Sequence, residues 1–233
     1  MADTPAHTRL PAGEELAAYA LAFKLLGMAF YQPPSEELLR KLGEDGLLAE
    51  WPLQPAAPAS TRGRALLLAY LATAEPSALA PALRNDFAEL FVGPDHVAAP
   101  PWESVYLSRE HLLFDVQTLQ VRQEYERFGL QIPRVNREPD DHIGFELLFV
   151  AQLLDLAAQA LEHGQRNEAV HSLTAAHTFL SQHPRMWVGL FAERLDRHAS
   201  TDFYRGLGQL LVESLDALDD RLNEALPPPG GGA

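Results

Sequence analysis

The stretch from Ile143 to Leu161 limits the possible folds of this chain more than any other part of its sequence. Nearly all of it is hydrophobic, and the exceptions are Gly144, Glu146, Gln152, Asp155 and Gln159. At 100° per residue, Gln152, Asp155 and Gln159 fall in one narrow stripe, so the rest of the helix surface is apolar. A helix of this kind is enclosed by other elements. We therefore predict a central helix over about 139–162.

The segments on either side show helical periodicity in amphipathic form. Apolar residues recur at steps of three and four from Leu16 to Phe30, and again from Asp202 to Leu226. The same pattern predicts helices near 36–42, 61–73, 77–90, 109–128 and 165–181. One more begins at Pro184, and its expected apolar side is Trp187, Leu190, Phe191 and Leu195.

No strand alternation of useful length and no repeat at a fixed period occurs in the sequence. The predicted fold class is therefore all-α, a single globular domain of about eight to ten helices. We expect this domain to span 13–226, with a linker near 131–137. Residues 1–12 and the proline- and glycine-rich 227–233 are expected to be disordered.

Composition narrows the classes of partner and of chemistry. The 18 basic and 32 acidic side chains give a net charge of −14, which argues against a nucleic-acid partner. Without any cysteine, disulfides, thiol catalysis and cysteine-based metal sites are excluded. The N-terminus lacks the basic and then apolar order of a secretory signal, and no run of about 18 uncharged apolar residues follows. We expect a cytoplasmic protein without stable membrane insertion.

Two short motifs stand out from the helical background, and the first is Asn85–Tyr106. Its opening helix carries Leu90 and Phe91 on one side. Prolines at 100 and 101 follow, and they lack N–H donors and push their predecessors into extended geometry. We therefore expect a stiff loop that presents Trp102 and Tyr106.

The second motif, Glu138–Gly144, precedes the central helix. Asp140 and Asp141 place negative charge at the positive end of its dipole. His142 and Glu146 fall outside the polar stripe of that helix, so they face something other than ordinary solvent. Taken together, the two motifs suggest a groove that reads a peptide.

Enzyme chemistry receives little support. The sequence has no P-loop, no Gly-x-Gly-x-x-Gly, no His-Glu-x-x-His and no Gly-x-Ser-x-Gly. Ser104 lacks a flanking glycine turn and is better suited to positioning the loop than to nucleophilic attack. His142 and Glu146, with Asp141 beside them, could hold a metal, but a second Glu-x-x-His is missing. On spacing alone, the simpler interpretation is that the aspartates favour the helix start and His142 is a core histidine.

The runs Asp86–Pro94, Ala99–Leu107, Glu138–Gly144 and Phe203–Gly208 resemble those of the twin-arginine leader-binding chaperones of molybdoenzymes, the TorD/DmsD family of redox enzyme maturation proteins. The resemblance extends over most of the chain. It implies an all-helical domain, monomeric or a domain-swapped homodimer. Such a protein binds the signal peptide and the folded body of a dimethyl sulfoxide or trimethylamine N-oxide type reductase. It holds export back until the molybdenum cofactor is inserted.

The resemblance also implies a set of site residues. The positions that match those used by the family for leader binding are Leu90, Phe91, Pro101, Trp102, Asp141 and His142. Glu103 stands where a close relative has glycine, which makes the loop more acidic. The implied mechanism is binding, without catalysis and without a cofactor or metal of its own.

A twin-arginine leader offers two guanidinium groups and then a short apolar segment. We expect an acidic rim to attract the arginines, formed by Glu103, Glu138, Asp140 and Asp141. We expect an apolar surface to take the rest, formed by Leu90, Phe91, Trp102 and Tyr106. Two alternatives stay open: an assembly chaperone of the nitrate reductase type without a role in export, and a metal-dependent helical enzyme centred on His142 and Glu146.

Overall fold

The computed structural model describes residues 9–43, 46–54, 61–93, 97–108, 116–132 and 138–226. Over these ranges the chain forms ten α-helices, one π-helical turn (Ala88–Val92) and no strand. The helices are α1 (Gly13–Tyr31), α2 (Glu36–Gly43), α3 (Arg62–Leu71), α4 (Pro76–Phe87), α5 (Glu103–Leu107), α6 (Val116–Arg127), α7 (Ile143–Glu162), α8 (Arg166–Gln182), α9 (Pro184–His198) and α10 (Asp202–Ala225). The predicted all-α class is confirmed.

The helix α7 lies between α1 on one side and α8 on another. In the described part of the chain it is the one helix long and apolar enough to cross a membrane by length and composition, yet 72% of its apolar window is buried inside the protein. Its apolar character is thus used within the fold, where it forms much of the hydrophobic core.

A pair of glycines sets how closely α1 and α7 approach. A Cβ atom added at Gly27 would lie 2.8 Å from the carbonyl oxygen of Gly144, and one added at Gly144 would lie 2.9 Å from the oxygen of Gly27. Such distances are too short for a carbon atom. Because neither residue has a side chain, the two backbones meet directly, and the start of α7 is held against the end of α1.

The second layer is built around α10, which packs against α3 and α9. Its apolar stripe, predicted from the sequence, is buried and includes Phe203, Leu207, Leu211 and Leu215. The indole of Trp51 donates a hydrogen bond of 2.9 Å to the hydroxyl of Ser214 on α10. The short segment after α2 is therefore tied to this layer.

Two elements of the first motif differ in type from the prediction. The helix through Leu90 ends as a π-helical turn, and the N–H of Ala99 donates to the carbonyl of Leu90 over 2.9 Å. The stretch expected to be only a loop contains α5, with Trp102 as its N-cap. The prolines at 100 and 101 precede the helix, so their missing N–H groups remove no bond within it.

Smaller differences concern burial and boundaries. Leu190 was predicted on the buried side of α9, which is wrong, because it lies on the flank of a stripe centred between Trp187 and Leu195 and is 49% exposed. Leu10 packs in the core, although the disordered lead was expected to reach residue 12. The predicted helix start at 109, residues 133–137 of the linker, the tail 227–233 and the lead 1–8 lie outside the described residues.

Candidate functional site

The structure brings the two motifs into direct contact. The N–H of Glu103 donates to the carbonyl of Asp141 over 3.0 Å, and the N–H of Ile143 donates to the carbonyl of Pro101 over 2.8 Å. These bonds form an isolated antiparallel bridge between Trp102 and His142. The segment before α5 and the segment before α7 are thus one unit, as a shared site requires.

Asp141 is fully buried, and its carboxylate accepts hydrogen bonds from outside its own motif, including one from the first motif. One carboxylate oxygen accepts the N–H of Ser104 at 2.7 Å, and the other accepts the hydroxyl of Thr118 at 2.8 Å. Its position in the sequence predicts a negative charge at the start of α7. Asp141 does directly precede the N-cap of α7, and its carboxylate also lies at the start of α5, where it supplies the acceptor that the first turn of that helix lacks.

His142 is the N-cap of α7. Its Nδ1 accepts the N–H of Gly144 at 3.0 Å, so the hydrogen of the neutral ring is on Nε2. Burial lowers the pKa of His142 to about 3, and the imidazole is neutral at physiological pH. The ring packs among the side chains of Tyr31, Trp102 and Phe145.

Asp140 is also buried, and its charge is paired. The guanidinium of Arg122 donates to the same carboxylate oxygen from Nε at 3.0 Å and from Nη2 at 2.7 Å. The hydroxyl of Tyr125 donates to the backbone carbonyl of Asp140 at 3.0 Å. This residue therefore ties α6 to the start of α7.

Glu103 and Glu146 meet in the interior below the joined motifs. The imidazole Nδ1 of His183 lies 3.0 Å from the Glu103 carboxylate, and the indole of Trp187 donates to Glu146 over 3.3 Å. Burial raises the pKa of Glu146 well above its ordinary value, and the nearby Glu103 carboxylate raises it further. The protonated form of Glu146 is favoured, which lets two acidic side chains share the site.

The expected acidic rim is therefore not a surface feature of the described residues. Glu103, Asp140 and Asp141 are buried because each has an internal partner. Only Glu138 remains partly exposed, and its carboxylate accepts the hydroxyl of Tyr31 at 3.2 Å. Their role in binding a leader stays a prediction.

The apolar site residues divide in the same way. Leu90 and Phe91 are buried, and the Phe91 ring lies 4.9 Å from Phe87 and 5.5 Å from Tyr204. Pro101 is buried as well, whereas Trp102 and Tyr106 are partly exposed. Tyr106 stacks on Trp187 with ring centres 5.0 Å apart.

In the described part of the chain, no arrangement of side chains supports a metal site or a serine nucleophile. No group of three His, Asp or Glu side chains there could hold a metal ion. The hydroxyl of Ser104 is buried without a hydrogen-bond partner, so no base activates it.

Sequence reasoning missed a cavity of about 310 Å³ beside the joined motifs. Residues of α1, α6 and α7 and of the segment after α6 line it, and the members include Tyr31, Tyr125, Ile132, Phe145 and Phe149. Each of them looks like an ordinary core position in the sequence. Because the cavity depends on how separate helices pack, no local pattern could have revealed it.

The comparisons with known proteins agree with one another. A family model described as nitrate reductase delta subunit matches residues 55–193. The Tat proofreading chaperone DmsD of Salmonella paratyphi A is 33% identical over 196 residues, which cover 82% of this chain and 84% of the relative. The probable Tat proofreading chaperone DmsD of Haemophilus influenzae is 26% identical over 82% of this chain and 85% of its own length. Chaperone protein TorD of Vibrio cholerae is 30% identical over 61% of this chain and 64% of its own. By the extent of these matches, the chain belongs to the TorD/DmsD family.

Proposed function

We propose that this protein is a cytoplasmic chaperone that binds the twin-arginine leader and the folded body of a molybdoenzyme reductase and aids cofactor insertion before export. The observation that carries the proposal is the relationship, over 82% of the chain, to a protein named Tat proofreading chaperone. The protein acts by binding, with no bond made or broken. It works as a monomer or as a domain-swapped homodimer.

The joined motifs offer a surface suited to such a peptide. Trp102, Tyr106 and Glu138 are each only partly buried, so aromatic and acidic residues are reachable from this face. Behind this face, Asp141 holds the two backbone segments together, and Asp140 ties α6 to the start of α7. Rigid support of this kind lowers the entropy lost on binding.

Charge favours the same partner. The net charge of −14 attracts a peptide that carries two arginines and accelerates encounter. Surface attraction is screened over about 8 Å at physiological salt, so affinity should fall as salt rises.

Calorimetry with a synthetic twin-arginine leader tests the proposal. The protein should bind the intact leader, and binding should weaken with salt and on replacing both arginines by alanine. A neutral peptide of the same length and apolar content is the control. Equal affinity for the intact leader and for the arginine-free peptide would contradict the proposal.

A second candidate is an assembly chaperone of the nitrate reductase type without a role in export, which the description of the matching family model favours. A pull-down from cells growing on an alternative electron acceptor, read by mass spectrometry, separates the two. A leader-binding chaperone should lose most of its captured client when the leader is deleted. An assembly chaperone of the other type should retain it.

A further inference from the structure

The cavity beside the joined motifs has mostly apolar walls, and Gln131 and Gln152 are the amide side chains in its lining. Tyr31 of α1 and Phe145, Leu148 and Phe149 of α7 form one side, and Ile132 closes another. Its volume of about 310 Å³ lies at the small end of the range for ligand pockets. A polar or charged side chain would lose hydration there with little in return, so the lining selects an apolar occupant.

A series of aromatic ring contacts connects the candidate site to the lining of the cavity. Aromatic rings follow one another from Trp102 to His142 at 6.0 Å, from His142 to Tyr31 at 5.7 Å, and from Tyr31 to Phe145 at 4.9 Å. The half-buried Glu138 stands at the same place, because its carboxylate accepts the Tyr31 hydroxyl. An acidic group and an apolar cavity thus share one tyrosine side chain.

We infer that this cavity binds one large apolar side chain from the hydrophobic segment of the leader, while Glu138 receives an arginine that precedes it. The inference rests on the proposed function and assigns a subsite to it. The separation of acid and cavity is about one tyrosine side chain, which an extended peptide crosses in about two residues at roughly 3.3 Å per residue. Charge and apolar side chain must therefore be close in the bound sequence.

The surface of α1 indicates where the rest of the apolar segment lies. Leu21 and Met28 are exposed and fall on the same side of the helix as Tyr31. A peptide anchored in the cavity can continue along this stripe, away from Glu138. The net charge of −14 makes a second copy of this acidic chain a poorer occupant than a cationic peptide.

Gln152→Trp is the direct test, because Gln152 lines the cavity and is only half-buried, so a larger side chain can fill the space without entering the core. The matched control is Gln159→Trp, an exposed position two turns further along α7. Leu130→Ala is a second variant that enlarges the same cavity. Thermal melts establish that all three are folded.

Each protein is titrated by calorimetry with the intact leader and with a leader whose large apolar residues are replaced by alanine. For wild type and Gln159→Trp, the alanine leader should bind about tenfold more weakly or worse. Gln152→Trp should bind the intact leader as weakly as the wild-type protein binds the alanine leader. The Gln152→Trp protein should bind the alanine leader no more weakly than it binds the intact one. Leu130→Ala should selectively weaken binding of the intact leader.

If the loss of affinity caused by Gln152→Trp and the loss caused by the alanine leader were independent and additive, the inference would be overturned while the proposed function stayed intact. A change in oligomeric state by light scattering, with unchanged leader affinity, would assign the cavity to a second copy and overturn it too. Absence of arginine-dependent binding by the wild-type protein would instead remove the proposed function, and the subsite with it.

Discussion

Two interior regions of this protein hold the residues attributed to one binding site, and they differ in kind. Around Phe91 the interior is aromatic, with Phe30, Phe87 and Tyr204 as its ring neighbours. Around Asp141 the interior is polar, with hydrogen bonds to Ser104 and other buried groups. The aromatic region is held by apolar burial, whereas the polar region is held by partnered charges.

The difference teaches that a lost interaction with the leader has two possible origins. A substitution in the aromatic region weakens the fold and so lowers the fraction of protein able to bind. A substitution in the polar region changes the relative position of the two motifs with a smaller effect on the fold. Unfolding free energy and leader affinity therefore have to be measured on the same variants.

The largest effect on stability should come from Phe91→Ala. Removing a fully packed aromatic ring costs about 3 to 5 kcal/mol of unfolding free energy. Denaturant unfolding measures it, and Val92→Ala is the matched control, because Val92 is 62% exposed and its loss should cost within about 0.5 kcal/mol. A fully stable Phe91→Ala protein that fails to bind would make this ring a contact for the leader.

Asp141→Asn should cost about 1.5 to 3 kcal/mol, because a buried carboxylate with two donors becomes an amide that can accept from only one side. Thr118→Val removes one of those donors, so the double variant should be more stable than the sum of the single losses predicts. Unfolding of all four proteins in denaturant gives the coupling energy. Strict additivity would mean that the two side chains act separately.

The burial of His142 predicts a pH dependence of stability. The pKa of His142 is about 3 in the folded protein, whereas the ordinary pKa of histidine, 6.5, applies to the unfolded chain. Below pH 6.5 the unfolded chain therefore binds a proton that the folded protein does not. Stability from this residue is thus fully present above pH 6.5 and is lost as pH falls, by about 1 kcal/mol between pH 6.5 and 5.5.

His142→Asn keeps an N-cap acceptor and removes the titrating group, so its stability should fall less over that interval. The raised pKa of Glu146 has the opposite effect, because the stability that Glu146 contributes decreases as the pH rises above the ordinary pKa of a glutamate. This effect is common to both proteins. Unfolding measured at both pH values gives the difference. Parallel pH profiles would show that the pKa of His142 is the same in the folded and the unfolded protein.

Trp102→Ala should have the smallest effect on the fold, below about 1 kcal/mol, because the ring is partly exposed and offers no side-chain cap to α5. Leader affinity should fall by about 2 kcal/mol if the indole is an anchor for the peptide. Calorimetry beside a thermal melt separates the two quantities. Unchanged affinity in a folded variant would restrict this side chain to a structural role.

The helical fold was predictable because its signals are local. The spacing of apolar residues from Leu16 to Phe30 and the near-continuous run in α7 follow directly from helix geometry. The hydroxyl of Ser35 accepts the N–H of Leu38 in the manner of an N-cap, and Gly129 adopts a positive φ of 68° after α6. None of these features depends on distant parts of the chain.

The burial of the acidic residues was not predictable in the same way. Asp140 has Arg122 as partner and Glu103 has His183, and each pair joins residues far apart in the sequence. A sequence shows that a carboxylate is present, but only the packing shows whether solvent or an internal hydrogen-bond partner surrounds it. The sequence therefore suggests a surface rim at residues that the packing buries.

The glycine crossing of α1 and α7 limits how this protein can diverge. A single methyl group at residue 144 would lie 2.9 Å from the Gly27 oxygen and 3.1 Å from both His142 Nδ1 and the Cβ of Tyr31. It would disturb the helix contact, the cap of α7 and a wall of the cavity at once. Adaptation to a different leader is therefore open to the side chains around the crossing and closed to the crossing itself, so redesign of specificity should begin at Gln152 or Leu130.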